Sequence, residues 1–215
     1  MTTLVKSKLK TFIGGIHPED DGKLLTKGKK EASAPLPKAV YLFMSQHIGA
    51  PCKPIVKKGD MVKKGQLIGE AQGFVSANVH ASISGKVVDV APWPHPITGI
   101  KSPAVIIERT EDDSWIEGVN ENFDIDHISP DEIKQRIQSA GIVGLGGATF
   151  PTHVKLTPPK DKVIDTVVMN GAECEPYLTC DYRLMLDKPH EIIQGLKFVM
   201  KCLGCKKAHI GIETN

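Results

Sequence analysis

Between residues 37 and 110, apolar and polar positions alternate in short bursts broken by turn formers. KAVYLFMSQHIG at 38–49 and AVIIE at 104–108 carry the period of two expected of half-buried strands. Between them, Gly59-Asp60 and Lys64-Gly65 flank Val62, Leu67-Ile68 resumes a strand, Ser84-Gly85 turns, and residues 86–90 run out again. Strands this short and turns this frequent predict a small β barrel or sandwich. Trp93-Pro94-His95-Pro96 reads as a rigid loop, and His80 and His95 as satisfied strand or loop histidines.

Past residue 128 the period lengthens to that of helices. Ser129 is an N-cap with Glu132 three positions on, Pro130 fills the first helical position, and Gly141 stops the helix. Ile133, Ile137 and Ala140 share one face. Residues 163–169 form an apolar run rich in Val and Ile, suited to a central parallel strand. Pro189 opens a second helix with Ile192, Ile193, Leu196, Val199, Met200 and Leu203 on one side, and Gly204 ends it. Ala208, Ile210 and Ile212 then alternate as a strand. Strand, helix, strand predicts a right-handed βαβ unit, with residues 170–175 at the carboxyl end of its first strand, where open α/β sheets place ligands.

The expected fold is therefore α+β with two domains. An N-terminal extension (1–36) precedes the β barrel-sandwich (37–110), an acidic linker (111–128) follows, and residues 129–215 begin an α/β domain. Its last strand lacks a covering helix, so that domain reads as truncated at its C-terminus. In the extension, the GGIHP run at 14–18 reads as a surface turn, and Lys27, Lys29 and Lys30 as a solvated tip.

The formal charge of +2 over 215 residues argues for neither nucleic acid nor a membrane surface. No apolar run is long enough for a bilayer span, and the first residues lack the apolar core of a secretory signal. Five cysteines without a disulfide pattern fit a reducing compartment, so the expected location is cytoplasmic. Cys202 and Cys205 form C-x-x-C, but at a helix carboxyl end, where the dipole disfavours a thiolate. They read as core residues, and no catalytic or metal-ligating residue is assigned.

Candidate chemistry concentrates in residues 140–187. Gly144, Gly146 and Gly147 lie beside Phe150, Pro151 and Lys155, and the next strand ends in Asn170, Glu173 and Glu175. Glycines let backbone N–H groups approach a phosphate or ring closely. A dinucleotide fingerprint is excluded, because a helix precedes the glycines and Thr149 stands where the third glycine belongs.

Two resemblances attach to these residues. The Gly-Asp turn, hairpin tip and Ser-Gly turn of the β module resemble the biotinyl/lipoyl carrier fold, with Phe74 where a carrier holds its modified lysine. The tip at 71–76 has no lysine, so the module is expected to be structural or docking rather than a swinging arm. The run GLGGATFPTHVK at 144–155, then NGAECEP at 170–176, Asp181 with Arg183, and Pro189-His190 resemble the flavin-binding part of the NADH-oxidising flavoprotein subunit of respiratory complex I. Taken with GGIHP and QHIGAP, nearly the whole chain is similar to the C-subunit family of Rnf electron transport complexes.

The resemblance implies the NADH-oxidising, FMN-binding entry subunit of a membrane-bound, ion-translocating NADH–ferredoxin oxidoreductase, held to the inner face of the cell membrane by other subunits. It implies that Gly144, Gly146, Gly147 and Lys155 line FMN, that Asn170 and Glu173 reach its ribityl chain and ring edge, and that Phe150 and Glu175 face NADH. The 4Fe-4S clusters of that family are expected only in a missing C-terminal part, and this piece is expected to be inactive alone. Leu145, Thr149, Ala172 and His153 depart from the complex I pattern, the second and fourth replacing glycines. The alternative is a non-catalytic scaffold subunit of a related NADH–quinone reductase that has lost the flavin.

Overall fold

The computed structural model describes residues 21–119, 124–145 and 148–213. The run GGIHP, Gly146 and Gly147 lie outside the described residues. The chain opens with a short helix α1 (Leu24–Lys27) and then builds seven strands: β1 (Ala39–Phe43), β2 (Lys53–Pro54), β3 (Met61–Val62), β4 (Leu67–Glu70), β5 (Val79–His80), β6 (Gly85–Pro94) and β7 (Lys101–Arg109). They pair antiparallel as two sheets, in the orders β1-β7-β6-β3 and β2-β4-β5. Met44, Val62, Ile68, Val79, Val87, Val105 and Ile107, drawn from both sheets, close one core between them. Gly59 and Gly65 turn at positive φ as the sequence predicts, whereas Gly85, expected in a turn, opens β6 opposite Val62 and Arg109, where a Cβ would strike the Glu108 carbonyl.

Trp93 and Pro94 are not a loop. They complete β6, opposite Ser102 and Lys101, and the turn begins at His95, whose N–H donates to the Ile100 carbonyl at 3.0 Å. The Trp93 ring packs edge-on against Tyr41 with centroids 4.9 Å apart, a contact that favours extension of the strand. Past β7, residues 113–116 stay on the barrel. The Ser84 hydroxyl donates to the Ser114 carbonyl at 2.7 Å, and Lys64 pairs with Asp113 at 2.6 Å.

The second half holds α2 (Pro130–Ser139), α3 (Thr152–Lys155), β8 (Thr166–Gly171), α4 (Cys180–Asp187), α5 (Pro189–Leu203) and β9 (Lys207–Ile212). The Ser129 hydroxyl accepts the Glu132 N–H at 3.2 Å, which caps α2 as expected. Gly204 ends α5 in the left-handed region at φ 68°. Ile128, Ile133, Leu156 and Cys202 form a second buried cluster, joined by Phe198 and Val199, that packs α2, α3 and α5 together.

β8 pairs parallel with β9, as the βαβ pattern predicts, but three residues later than the apolar run suggests. Pairing starts at Thr166 opposite Lys207, which leaves Val163 outside the sheet and 92% exposed. Val168, expected in a central covered strand, is 71% exposed, because among the described residues this sheet has two strands and one open face.

Candidate functional site: a glycine loop against the barrel and a polar strand end

Two neighbourhoods hold the residues singled out by the sequence. The first lies between α2 and α3. Gly141 leaves α2 at φ 68°, Val143 forms an isolated bridge with Pro151, and the Gly144 N–H donates to the Phe150 carbonyl at 2.9 Å. The Thr152 N–H donates to Ile142 O at 3.0 Å and completes the closure of a loop whose tip carries Leu145, 95% exposed. Thr149 is held at φ 49°, an unusual conformation for a β-branched residue. A Cβ at Gly144 would take the place of the Lys155 ammonium and displace the flexible tip of that side chain, so the bare glycine lets the cation lie against the loop backbone. Lys155 makes no ion pair among the described residues, which leaves its charge available.

The barrel holds this loop directly. The Ile48 N–H donates to Ala148 O at 3.1 Å. His153 Nε2 donates to the Phe74 carbonyl at 3.0 Å. At the end of α2, the Asn78 amide donates to Ser139 O at 3.1 Å.

The second neighbourhood is the carboxyl end of β8. Asn170 Oδ1 accepts the Ala172 N–H at 3.0 Å, an Asx turn that leads the chain off the strand. Glu175 is exposed. Glu173 turns inward instead. It is 6% exposed, and its carboxylate accepts the Asp181 N–H at 2.9 Å, the Tyr182 N–H at 3.2 Å and the Cys180 thiol at 3.1 Å. It therefore caps the amino terminus of α4, where backbone donors and the helix dipole favour a negative charge. Burial by itself would raise the Glu173 pKa, but these hydrogen bonds and the Lys23 ammonium outweigh it and hold the carboxyl below the usual glutamate value. The Cys180 thiol is pushed up, chiefly by its bond to Glu173, which keeps it protonated.

Lys23 was invisible as a functional residue in the sequence. It is 8% exposed, and its ammonium donates to the Glu173 carbonyl. The segment around it is tied to the same loop. The Tyr177 N–H donates to Asp21 O at 2.7 Å, the Thr179 and Thr26 hydroxyls bond at 2.8 Å, and Lys27 sits 5.3 Å from the Tyr182 ring centroid. Lys27 is thus partly covered rather than part of a solvated tip, while Lys29 and Lys30 are exposed as expected. The tertiary contact overrides the local composition. No sequence pattern marks a lone lysine for burial; only the partner loop does.

A cavity of about 510 Å³ opens here, lined by Lys23, Lys27, Glu173, Tyr182, Met185 and Ile212. A neighbouring one of about 470 Å³ is lined by Met169, Asn170, Asp181, Ile192, Ile193 and Ile210. The structure thus joins Gly144, Phe150 and Lys155 in one place and Asn170, Glu173 and Glu175 in another. No hydrogen bond or ion pair among the described residues links the two groups.

This geometry can be set beside known proteins. Residues 10–112 match the family described as the RnfC barrel sandwich hybrid domain, and residues 137–215 match the Nuo51 FMN-binding domain. The chain is 52% identical over 207 residues to the C subunit of the proton-translocating ferredoxin:NAD(+) oxidoreductase complex of Clostridium ljungdahlii, covering 96% of this chain and 45% of that protein. It is 49% identical over 210 residues to the Na(+)-translocating counterpart of Acetobacterium woodii, covering 95% and 46%. It is 43% identical over 203 residues to the C subunit of the ion-translocating oxidoreductase complex of Rhodobacter capsulatus, covering 94% and 39%. The chain thus spans less than half the length of these curated relatives. Among the described residues no helix is long and apolar enough to cross a membrane. Two successive domain matches in the order of the observed barrel and α/β segments, with close relatives along almost the whole chain, show that it belongs to the C-subunit family of Rnf-type ion-translocating oxidoreductase complexes.

Proposed function

We propose that this chain carries the barrel and the first part of the flavin site of an NADH-oxidising entry subunit. Its protein would pass electrons from NADH toward ferredoxin in a membrane-bound, ion-translocating complex. The observation that carries the reading is the loop at Gly144, pinned by its N–H to the Phe150 carbonyl, where the Lys155 ammonium lies against a backbone that bears no Cβ. A phosphate-bearing cofactor is favoured by close backbone approach together with a cation that makes no ion pair among the described residues.

FMN fits that donor set. Lys155, with Gly146 and Gly147 of the same run, would hold the phosphate end, while Gly144, whose own N–H is taken by the Phe150 carbonyl, would line the cofactor through its bare Cα. Asn170 would meet the ribityl chain or ring edge from the end of β8. Phe150 would offer an apolar face to the nicotinamide, and Glu175 would accept hydrogen bonds from the ribose hydroxyls. Glu173 would serve the site by fixing the loop from 170 to 175 against α4, since its own oxygens are occupied there. When bound, the cofactor supplies hydride acceptance and onward release of electrons; the protein supplies position and charge. Partner subunits would hold the protein at the cytoplasmic face of the membrane.

The test is made on the full-length subunit, purified without oxygen. It should retain FMN in stoichiometric amount, and NADH should bleach it. A protein that takes up no FMN and leaves NADH unoxidised would overturn the reading in favour of a scaffold.

Glu175→Gln separates the nucleotide from the flavin. A charge-assisted hydrogen bond contributes on the order of 1.5–3 kcal/mol, and exposure places Glu175 at the low end. The expected result is a KM for NADH raised about tenfold with FMN still bound. Unchanged NADH kinetics would remove Glu175 from the site.

A further inference from the structure

The hairpin tip at 71–76 occupies the place where a carrier domain presents its modified lysine, yet here it already has a partner in the same chain. The Phe74 ring meets His153 edge-on, with centroids 5.9 Å apart, and the Phe74 carbonyl accepts from His153 Nε2 at 3.0 Å. A carbonyl can only accept, so the ring proton sits on Nε2. His153 is 4% exposed and follows the glycine loop by a few residues. Its Nδ1 is buried with no partner among the described residues. An orphaned acceptor is costly, so the bond from Nε2 to the Phe74 carbonyl holds the ring here against a local penalty.

The grip has a second finger. Ile48 N–H holds Ala148 O, and the stretch around Ile48 is fastened to the hairpin tip. The Ala50 N–H donates to Val75 O at 3.0 Å, and the Ser76 hydroxyl donates to Ala50 O at 2.8 Å. Gly49, at φ 108°, lies so close to the Val75 carbonyl that any Cβ would collide with it. Behind the tip, His47 Nε2 accepts the Ala77 N–H at 3.1 Å. One braced piece of barrel therefore takes hold of the chain at 148 and again at 153. The strained Thr149 lies between these two holds, and such strain persists only where the surroundings over-determine it.

The departure at 153 gains a physical reason. The flavoprotein motif has glycine at this position, and glycine has no side chain with which to reach the barrel.

We propose that the barrel is the positioning device of the glycine loop and that His153 is its positioning residue, clamping the loop to the hairpin tip through the Phe74 carbonyl. This deepens the flavin reading and rests on it: the docked tip fixes residues 148–153 in the conformation that receives FMN. The barrel has exchanged the swinging arm of a carrier for a fixed joint within its own chain.

The experiment uses the full-length subunit with His153→Gly, which cuts the clamp, and His153→Gln, whose amide N–H can again donate to Phe74 O. Phe74→Ala, at an exposed tip, removes the ring contact from the barrel side and leaves α3 intact. Two quantities are read: amide hydrogen exchange at 71–76 and 148–153 without flavin, and the Kd for FMN. His153→Gly should speed exchange in both segments together and weaken FMN about fivefold, the worth of one buried hydrogen bond. His153→Gln should restore most of both, and Phe74→Ala should fall between.

Exchange that quickens at 148–153 alone would overturn the joint. Exchange that quickens in both segments while the Kd stays fixed would reduce His153 to a structural contact and overturn its positioning role. If the wild-type protein binds no FMN, the flavin reading fails, and with it the role of His153 toward the cofactor; coupled exchange would still establish the clamp itself.

Discussion

Glu173→Ala is expected to destabilise the second half of the chain by about 2–4 kcal/mol, the sum of a lost helix cap and of hydrogen bonds to a buried charge. The carboxylate collects three donors at the amino terminus of α4, so its removal leaves two backbone N–H groups and a thiol without that acceptor. The Lys23 ammonium beside it would also lose a neighbouring negative charge. Urea unfolding of the second half measures the effect.

The pH dependence gives an independent check. Because the folded-state pKa of Glu173 is depressed, its contribution is fully present above the ordinary glutamate value of about 4.3. It is lost as pH falls below that value and through the folded-state pKa. The wild-type protein should therefore lose stability in that acid window more steeply than Glu173→Ala or Glu173→Gln. Parallel curves for all three proteins would show that Glu173 carries no linked proton and would refute the cap.

Gly141→Ala is expected to cost a similar amount, about 2–5 kcal/mol, for a different reason. Part is conformational: φ 68° is a left-handed geometry that costs an L-residue roughly 1–2 kcal/mol. The rest is steric, since the new Cβ would fall on the carbonyl oxygen of Asn78 across the joint between barrel and loop, and forced overpacking costs about 1–3 kcal/mol. Gly204→Ala is the control. It has the same φ of 68°, but no atom lies within 4 Å of where its new Cβ would stand, so only the conformational part applies. Thermal unfolding should place Gly141→Ala well below Gly204→Ala. Equal losses would mean that the barrel does not press on Gly141.

Much of the secondary structure was legible because it is governed by neighbours in the chain. Ser129 with Pro130 announced α2, and Pro189 with Gly204 bounded α5, since caps and helix breakers act within a few residues. The alternation in 38–49 and 104–108 predicted strands, and β1 and β7 lie there, paired with each other. The ends of elements were less legible where the partner decides them. β8 begins at Thr166 because β9 begins at Lys207, and β6 runs on through Pro94 because β7 and the Tyr41 ring are there to meet it. The exposed face of Val168 has the same origin, for an apolar run does not say how many layers will cover it.

By itself, the sequence determined the order of the two domains and the family they belong to, and it singled out the residues proposed to meet a flavin nucleotide. Those properties reside in short stretches whose glycines, caps and polar strand ends act locally. Only the tertiary structure decided what those residues do to one another. It turned Glu173 from an open ligand toward α4, buried Lys23 against its carbonyl, and joined the lysine-free hairpin tip to the glycine loop through His153. Such assignments depend on partners 150 positions away for Lys23 and 79 for His153, and no local pattern encodes a contact that exists only once the chain has closed on itself.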